Sequence, residues 1–460
     1  MAMKRRAPAQ QGMWVAIHEL PRSAGHVFYE KLNEVLASGG FDEFVEELCT
    51  PHYAAETGRP SIAPGVYFRM LFVGYFEGLS SQRGIAWRCA DSLSLRAFLS
   101  VPLTAATPTH SSMTRIRQRL PEAVFEQVFT FVLRVARRYG LLRGKTIAVD
   151  STTLEANAAM RSLVRRDTGE DWKSYVRGLL AAEGVAQPTD DEVRRLDRTR
   201  TKKTSNAEWV SATDPASRVA KMKDGRTHLA YKAEHALDVE SQLLVAAVIY
   251  RGDDGDAETL PVTVELARQQ LTAAGAPKRV EEVVADKGYH KTETLEILQA
   301  VQQVRPYIPE PKYRGRRRWR DKPAGQQALV YATRRRVRGA RGRRLGRWRS
   351  ERVERSIAHT CETGAARRSW LSGVAEVAKS YLGRAAAHNL AVIMLAVVGV
   401  GTARSLQAGM AFVCAVLSGL WGLQVLRSRS VAFATEPSRF PAVLSSAAWA
   451  RPAATSSTGC

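Results

Sequence analysis

Apolar residues recur at helical spacing through the first third of the chain. Between residues 25 and 140 they repeat every three or four positions, as at Phe28, Leu32 and Leu36, and prolines separate successive stretches. The pattern predicts a series of short helices. Their arginines include Arg83, Arg88, Arg115, Arg117 and Arg119. Such helices fit a helix-turn-helix-like DNA-binding module, and they equally fit a plain helical bundle whose arginines are solvated.

A different pattern begins at Thr146. The β-branched run from Thr146 to Asp150 predicts a buried strand that ends in an acid, and the run from Val283 to Asp286 predicts a second strand of the same kind. Further strands are predicted at 229–237, 243–250 and 304–308. Helices are predicted at 171–182, 258–270, 291–302 and 350–361, the last carrying Glu354. This alternation predicts an α/β domain with a five-stranded sheet.

Two stretches fall outside this alternation. Residues 160–225 are polar and charged, which predicts an insertion or a long loop around the helix at 171–182. Residues 405–426 carry no charge and are long enough to span a membrane. Their glycines and glutamines favour a buried or self-packing helix instead, so no membrane partner is expected.

Composition narrows the class of protein. Of the 460 residues, 45% are hydrophobic and 25% are charged, as in globular proteins of two or three domains. The formal net charge of +23 indicates a polyanionic partner, because clustered lysine and arginine attract phosphates. The five cysteines have no metal-binding spacing, and no N-terminal signal peptide is recognisable. A reduced, cytoplasmic location is therefore expected.

Three carboxylates are placed where a metal site could form. Two strand ends would hold Asp150 and Asp286 in fixed positions, and a helix laid across the sheet could add Glu354. Carboxylate oxygens are the ligands that Mg²⁺ prefers, and paired ions can hold the attacking and leaving oxygens of a phosphoryl transfer. Each acid alone has another interpretation: the aspartates as turn or cap residues, and Glu354, beside Arg352 and Arg355, as a surface ion pair.

Five motifs follow one another along the chain: GRPSIAPGVYFRM at 58–70, GIAWR at 84–88, VDSTTLEANA at 149–158, ADKGY at 285–289 and VERSIAH at 353–359. Through them the chain resembles the DDE transposases of bacterial insertion sequences from about Phe28 to Asn389. The resemblance implies an RNase H-like catalytic domain with a mixed five-stranded sheet flanked by helices. It also implies that Asp150, Asp286 and Glu354 are the catalytic residues and the ligands of two Mg²⁺ ions, for which Mn²⁺ can substitute.

The chain departs from that family around the glutamate. Many relatives have a tyrosine, an arginine and a lysine where this chain has Arg347, Ser350 and Cys361. Arg349 or Arg352 could take the place of the missing arginine. The departure also leaves Glu351 and Glu362 as rivals for the third acid, and Glu354 is preferred because it lies in the VERSIAH motif.

Arginine is concentrated between the second aspartate and the glutamate. Residues 312–355 hold 18 lysines or arginines against three acids, with aromatic residues interleaved. Arginine binds phosphate and an aromatic ring can stack on a splayed base, so we predict DNA contact here; a solvated basic loop is the alternative. The predicted DNA-binding residues are Lys232, Lys287, Arg317, Arg318, Trp319, Arg335, Arg344, Arg349 and Arg352.

Together with the resemblance, the sequence predicts three parts. Residues 1–140 form an all-α domain that binds terminal inverted repeats, residues 141–395 form the catalytic domain, and residues 396–460 form an apolar and then disordered tail. The predicted protein is a Mg²⁺-dependent transposase of the bacterial cytoplasm, associated with the nucleoid. It cuts double-stranded DNA at the ends of its element and joins the 3′-hydroxyl to target DNA, as a homodimer. The alternatives are an RNase H-like nuclease without joining activity and a non-catalytic DNA-binding protein derived from a transposase.

Overall fold

A mixed β-sheet forms the centre of the structure, a computed structural model that describes residues 22–54, 61–200, 205–222, 225–312, 319–320, 322–323 and 325–406. The strands are β1 (Thr146–Glu155), β2 (Leu163–Arg165), β3 (Trp209–Ser211), β4 (Arg218–Lys221), β5 (Thr227–Asp238), β6 (Leu244–Arg251), β7 (Glu282–Val284) and β8 (Arg305–Tyr307). The sheet has the order β6–β5–β1–β7–β8, and β4 pairs with the beginning of β5. Strands β7 and β8 continue parallel to β1, whereas β5 runs antiparallel to β1 and β6.

Helices surround the sheet. They are α1 (Ala24–Ser38), α2 (Phe41–Cys49), α3 (Pro64–Phe76), α4 (Gln82–Asp91), α5 (Leu93–Phe98), α6 (His110–Arg119), α7 (Glu122–Arg138), α8 (Trp172–Ala182), α9 (Asp190–Thr199), α10 (Asp256–Ala273), α11 (Thr292–Glu296), α12 (Gln326–Arg338), α13 (Ala340–Ala358) and α14 (Val374–Val398). The described part of residues 1–140 is therefore helical, as predicted.

Side chains on β5 show which helices cover which face of the sheet. Glu234 accepts a hydrogen bond from Thr259 on α10. The next residue, His235, contacts Ser356 on α13 and Tyr381 on α14 instead. Because successive side chains of a strand point to opposite faces, α10 covers one face of the sheet and α13 and α14 cover the other.

Helix α14 joins the N-terminal helices to the sheet. It packs against α3 and α7 as well as against β6. Helix α3 is buried from Tyr67 through Phe76, which explains why this stretch is apolar without a polar face. The stretch Val374–Leu406, which contains α14, is long and apolar enough to span a membrane by length and composition, a property that buried core helices share.

Several element boundaries differ from the predictions. Strand β1 continues five residues beyond Asp150, because its antiparallel pairing with β5 extends to Glu155. Strand β7 ends at Val284, so Asp286 follows the strand and does not end it. Helix α13 begins ten residues before the predicted position 350. The sheet has six strands in the described part of the chain, since β4 was not predicted.

The predicted polar insertion is partly structured. Strands β2 and β3 pair within it, and α8 and α9 pack through a small hydrophobic cluster of their own around Val176, Leu180 and Val193. Two predicted DNA-binding residues, Arg317 and Arg318, lie outside the described residues, as does the apolar tail beyond residue 406.

The side chain of Asn389 on α14 provides a test of this packing. Its amide donates to the backbone carbonyl of Leu244 and accepts from the backbone N–H of the same residue, both at 2.8 Å and both buried. Substitution Asn389→Ala leaves two buried backbone groups without these bonds, so we expect a loss of roughly 3 kcal/mol in the free energy of unfolding, measured by chemical denaturation. On the same helix Leu395 is 57% exposed, and Leu395→Ala should change the free energy of unfolding by less than about 0.5 kcal/mol. Equal effects of the two substitutions would contradict the packing of α14 against β6.

Candidate active site

The register of the sheet places Asp150 beside Asp286. In the parallel pair, Ala148 lies opposite Val284, and each aspartate lies two residues further along its own chain segment. Asp286 keeps an extended backbone (φ −80°, ψ −179°), so it continues the direction of β7. Neighbouring strands lie about 4.8 Å apart, and residues two apart on a strand share a face. The two carboxylates therefore meet on the same side of the sheet.

Glu354 belongs to the same electrostatic environment. Burial raises the pKa of Asp150, and the negative charges of Asp286 and Glu354 raise it further, whereas the Arg349 guanidinium and the Ser151 N–H lower it. The helix that carries Glu354 is held to the sheet two residues later, where the hydroxyl of Ser356 lies 3.1 Å from Nδ1 of His235. His235 is the residue opposite Asp150 in the antiparallel pair.

Arg349 forms an ion pair with Asp150. Its Nη1 lies 2.7 Å from Oδ2 of Asp150, and both side chains are largely buried. Arg349 was predicted to bind DNA, and it was also one of two candidates to replace the arginine that relatives have near the glutamate. The other candidate, Arg352, donates to the carbonyl of Val239 and stacks on Trp348. Of these two arginines, it is Arg349 that the structure brings to the carboxylates.

A fourth carboxylate, Asp256, lies at the start of α10. Its Oδ1 accepts from the hydroxyl of Ser151, the residue after Asp150, at 3.0 Å. A methyl group added to Gly288 would lie 3.3 Å from Oδ2 of Asp256 and 3.0 Å from Oδ1 of Asp286, so the two carboxylates are close neighbours. Asp256 was not among the site residues predicted from the sequence. Its proximity to Asp286 and Ser151 depends on the crossover from β6 to β7, which local sequence does not show.

A buried polar network supports the loop of Asp286. Glu234 is fully buried and accepts from the hydroxyls of Thr259, Thr263 and Tyr289 at 2.9, 2.5 and 2.9 Å. Burial raises the pKa of Glu234, and these hydrogen bonds oppose that rise. Tyr289 is the last residue of the ADKGY motif, so the motif combines a candidate ligand with the side chain that anchors its loop.

The rivals of Glu354 lie in surface ion pairs. Glu351 pairs with Arg355 at 2.9 Å, and Glu362 pairs with Arg367 at 2.6 Å. Both carboxylates are more than half exposed, and neither is among the main influences on the pKa of Asp150. The structure therefore favours Glu354 as the third acid.

The other predicted DNA-binding residues in the described part of the chain differ in how exposed they are. Exposed side chains are found at Lys287, Arg335 and Arg344. Trp319 packs against Tyr331, with ring centroids 5.9 Å apart. The prediction for Lys232 is wrong in this structure: the side chain is buried, and its ammonium donates to Thr259 and to the backbone carbonyl of Asp254. An ammonium held in this way is not accessible to a DNA phosphate.

The donor set suits a hard divalent cation. Carboxylate oxygens of Asp150, Asp286 and Glu354 are the ligands that Mg²⁺ and Mn²⁺ prefer. Among the described residues, no three His, Cys, Asp or Glu side chains are close enough together to hold a metal ion. The cation at Asp150 is the Arg349 guanidinium instead. The three acids thus have the oxygen donors that a divalent metal ion needs, but their side chains must rearrange to surround one.

Comparison with known families identifies the class of protein to which this chain belongs. Residues 17–119 match a transposase domain (DUF772), and residues 188–390 match the transposase DDE domain. The chain belongs to the DDE-type transposases of insertion elements. Such domains have an RNase H-like fold, act on DNA and generally use divalent metal ions. Neither a curated protein nor a solved structure matches the chain. Asp286 and Glu354 lie within the second match, whereas Asp150 lies outside both.

The histidine that holds the Glu354 helix predicts a pH dependence of stability. Burial lowers the pKa of His235 from 6.5 to about 3. Below about pH 6.5 the unfolded chain therefore takes up a proton that the folded protein does not, so this residue destabilises the fold increasingly as the pH falls toward 3. We expect His235→Gln to remove up to about 1.4 kcal/mol per pH unit from the acid slope of the unfolding free energy. The measurement is denaturant unfolding between pH 7 and 5, and parallel slopes for wild type and variant would contradict the burial of a neutral imidazole.

Proposed function

We propose that this chain binds the terminal inverted repeats of its insertion sequence, hydrolyses the phosphodiester at each end and joins the freed 3′-hydroxyl to target DNA. The observation that carries the proposal is the register of β1 and β7, which sets Asp150 beside Asp286 with Glu354 in the same electrostatic environment. We assign these three acids as the catalytic residues and as the ligands of two Mg²⁺ ions, for which Mn²⁺ can substitute.

The proposed chemistry consists of two displacements at phosphorus. In the first, a water oxygen bonds to the phosphorus at the element end, and the 3′-oxygen leaves and takes a proton. In the second, that 3′-oxygen loses its proton and bonds to a target phosphorus, from which another 3′-oxygen leaves. Bound divalent ions would neutralise the crowded oxygens of both steps. Sheet and helix fix the backbone positions of the three acids, so the protein would supply position and charge, and no covalent protein–DNA intermediate is required.

The remaining assignments follow from this function. We propose that residues 141–395 form the RNase H-like catalytic domain and that the helices within residues 1–140 recognise the inverted repeats. Exposed arginines of α12 and α13, among them Arg335 and Arg344, would bind DNA phosphates. Pairing of two element ends calls for two catalytic sites, so we propose a homodimer on DNA. The place of action would be the bacterial cytoplasm, at the nucleoid.

Neighbouring glutamates on α13 allow a matched test of the site. With a DNA that carries the ends of its own element and with Mg²⁺ or Mn²⁺, we expect cleaved and joined products from the wild type. Glu354→Gln should lower the rate by about a thousandfold, or roughly 4 kcal/mol, because it removes a charge needed in the transition state. The control is Glu351→Gln, which only breaks a surface pair with Arg355 and should retain most activity.

Other outcomes separate the alternatives. Cleavage without joining would indicate an RNase H-like nuclease, and binding without cleavage in either metal would indicate a non-catalytic DNA-binding protein. Loss of activity in Glu351→Gln but not in Glu354→Gln would show that the third acid has been assigned incorrectly.

The ion pair of Arg349 predicts the metal affinity of the site. A divalent ion at Asp150 must displace the guanidinium, so Arg349→Gln should tighten Mn²⁺ binding by roughly fivefold, or about 1 kcal/mol, measured by calorimetry without DNA. The exposed Arg347 on the same helix supplies the control, and Arg347→Gln should leave the affinity close to that of the wild type. Equal affinities for wild type and Arg349→Gln would mean that the guanidinium does not compete with the metal.

A further inference from the structure

A groove with a strongly positive lining lies where α4, α6 and α14 meet the segment 366–371. Its volume is about 430 Å³, and the described residues that line it include Arg83, Arg117, Arg368 and Arg384 but no aspartate or glutamate. We call it the arginine groove and define it by these four residues and Trp370. Its floor is apolar, formed in part by Leu71, Phe125 and Leu154.

Two of the four arginines have carboxylate partners outside the lining. Arg117 donates to Glu376 at 2.6 Å, and Arg368 lies 3.8 Å from Glu155. The close pair leaves Arg117 with little net charge. Arg368 is 48% exposed and its pair with Glu155 is looser, so its guanidinium stays open to a phosphate.

Arg384 is the source of an uncompensated charge within the protein. Its side chain is buried, and its guanidinium donates to the backbone carbonyls of Gly364, Leu79 and Ser80 and to the hydroxyl of Ser380. These partners are dipoles and carry no negative charge. Burial accordingly lowers the pKa of Arg384 to about 10. An anion in the groove would offset that cost, and the exposed Arg83 at the rim offers it a direct contact.

Trp370 gives the groove an aromatic surface. The ring is 49% exposed, and its position is fixed because Nε1 donates to the hydroxyl of Ser80 at 3.0 Å. The guanidinium of Arg368 lies over the ring, 4.9 Å from its centroid. A cation beside an exposed, immobilised indole is an arrangement suited to a nucleotide, since the base can stack on it while the phosphate pairs with arginine.

The arginine groove is connected to the candidate active site through β1. Arg368 forms a parallel bridge with Glu155, and the backbone N–H of Glu155 donates to the carbonyl of Arg367. Leu154, in the groove floor, is four residues from Asp150, a distance of about 13 Å along a strand. A DNA strand cut at Asp150 would reach the groove within about four nucleotides.

We propose that the arginine groove binds an unpaired segment of the DNA strand next to the cleavage point, with phosphates on Arg83 and Arg368 and a base on Trp370. The proposal rests on the proposed function, because it needs DNA at Asp150. A duplex keeps its bases stacked within the helix, so it can reach the arginines at the rim but cannot place a base on Trp370.

The test compares two DNA probes with the full chain in EDTA, which prevents cleavage. One probe is the duplex end of the element, and the other is the same duplex with a single-stranded extension of several nucleotides past the cleavage point. We expect the extension to strengthen binding of the wild type about tenfold by fluorescence anisotropy. Trp370→Ala should lose this gain and Trp370→Phe should keep most of it, since phenylalanine can still stack. Trp87 is 68% exposed on α4 and outside the groove lining, so Trp87→Ala should keep the gain in full.

Salt dependence tests the role of the two arginines separately. For the extended probe, the combined Arg83→Ala and Arg368→Ala variant should reduce the slope of log affinity against log salt by about 1.4, because each phosphate that arginine no longer neutralises lowers it by about 0.7. Arg115 is an exposed arginine on α6 outside the groove lining. The substitution Arg115→Ala should therefore leave the contribution of the extension to the salt slope unchanged.

Two results would overturn the proposal while leaving the proposed function intact. One is tight binding of the duplex with no gain from the extension, and the other is a gain that survives in Trp370→Ala. Failure of the wild type to bind either probe would contradict the proposed function itself, and the assignment of the groove would fall with it.

Discussion

The parallel pairing of β1 with β7 is the constraint on which the candidate active site depends. It brings Asp150 and Asp286 to one face of the sheet, where their charges repel and burial disfavours the ionised form of Asp150. Such an arrangement costs free energy, so it persists only if its surroundings are rigid and compensate the charge. Arg349 supplies that compensation directly, through an ion pair from the helix that also carries Glu354.

The rigid support comes from the opposite face. Glu234 is buried there among three hydroxyl groups, and Lys232 lies 3.9 Å from it. A buried carboxylate without these partners would be strongly destabilising, so the hydroxyls, the ammonium and the carboxylate hold one another in place. Because Tyr289 follows Asp286 by three residues, the same network fixes the loop of the second aspartate. The position of a candidate metal ligand thus depends on a polar cluster on the other side of the sheet.

The sequence predicted the acids of the site better than the cations around them. An acid at or near the end of each of two apolar runs is a local signal, and it located Asp150 and Asp286 correctly near β1 and β7. The environment of Lys232 depends on which face of β5 is covered by α10, and that packing cannot be read from the sequence around Lys232. Arg349 was predicted to bind DNA because it lies in the arginine-rich segment, and the helix itself was expected to begin only at residue 350. With α13 beginning at Ala340, Leu345, Arg349, Val353 and Ile357 recur every four residues, and the three apolar members are buried, so the inward direction of Arg349 follows from the period.

The segment between α13 and α14 is also held rigidly against the sheet, further along β1 from the carboxylates. It returns beside β1, where the backbone of Glu155 bonds to Arg367 and Ser369, and the guanidinium of Arg367 donates to Thr152. Backbone bonds to a central strand leave little freedom of movement, so Trp370 and Arg368 stand at a set distance from Asp150. Helix α14 then begins at Val374 and places Arg384 against the loop before α4, which joins the regions of the two family matches. The same contacts set the spacing between the two points at which the proposed DNA strand would be held, and phosphoryl transfer depends on such fixed positioning.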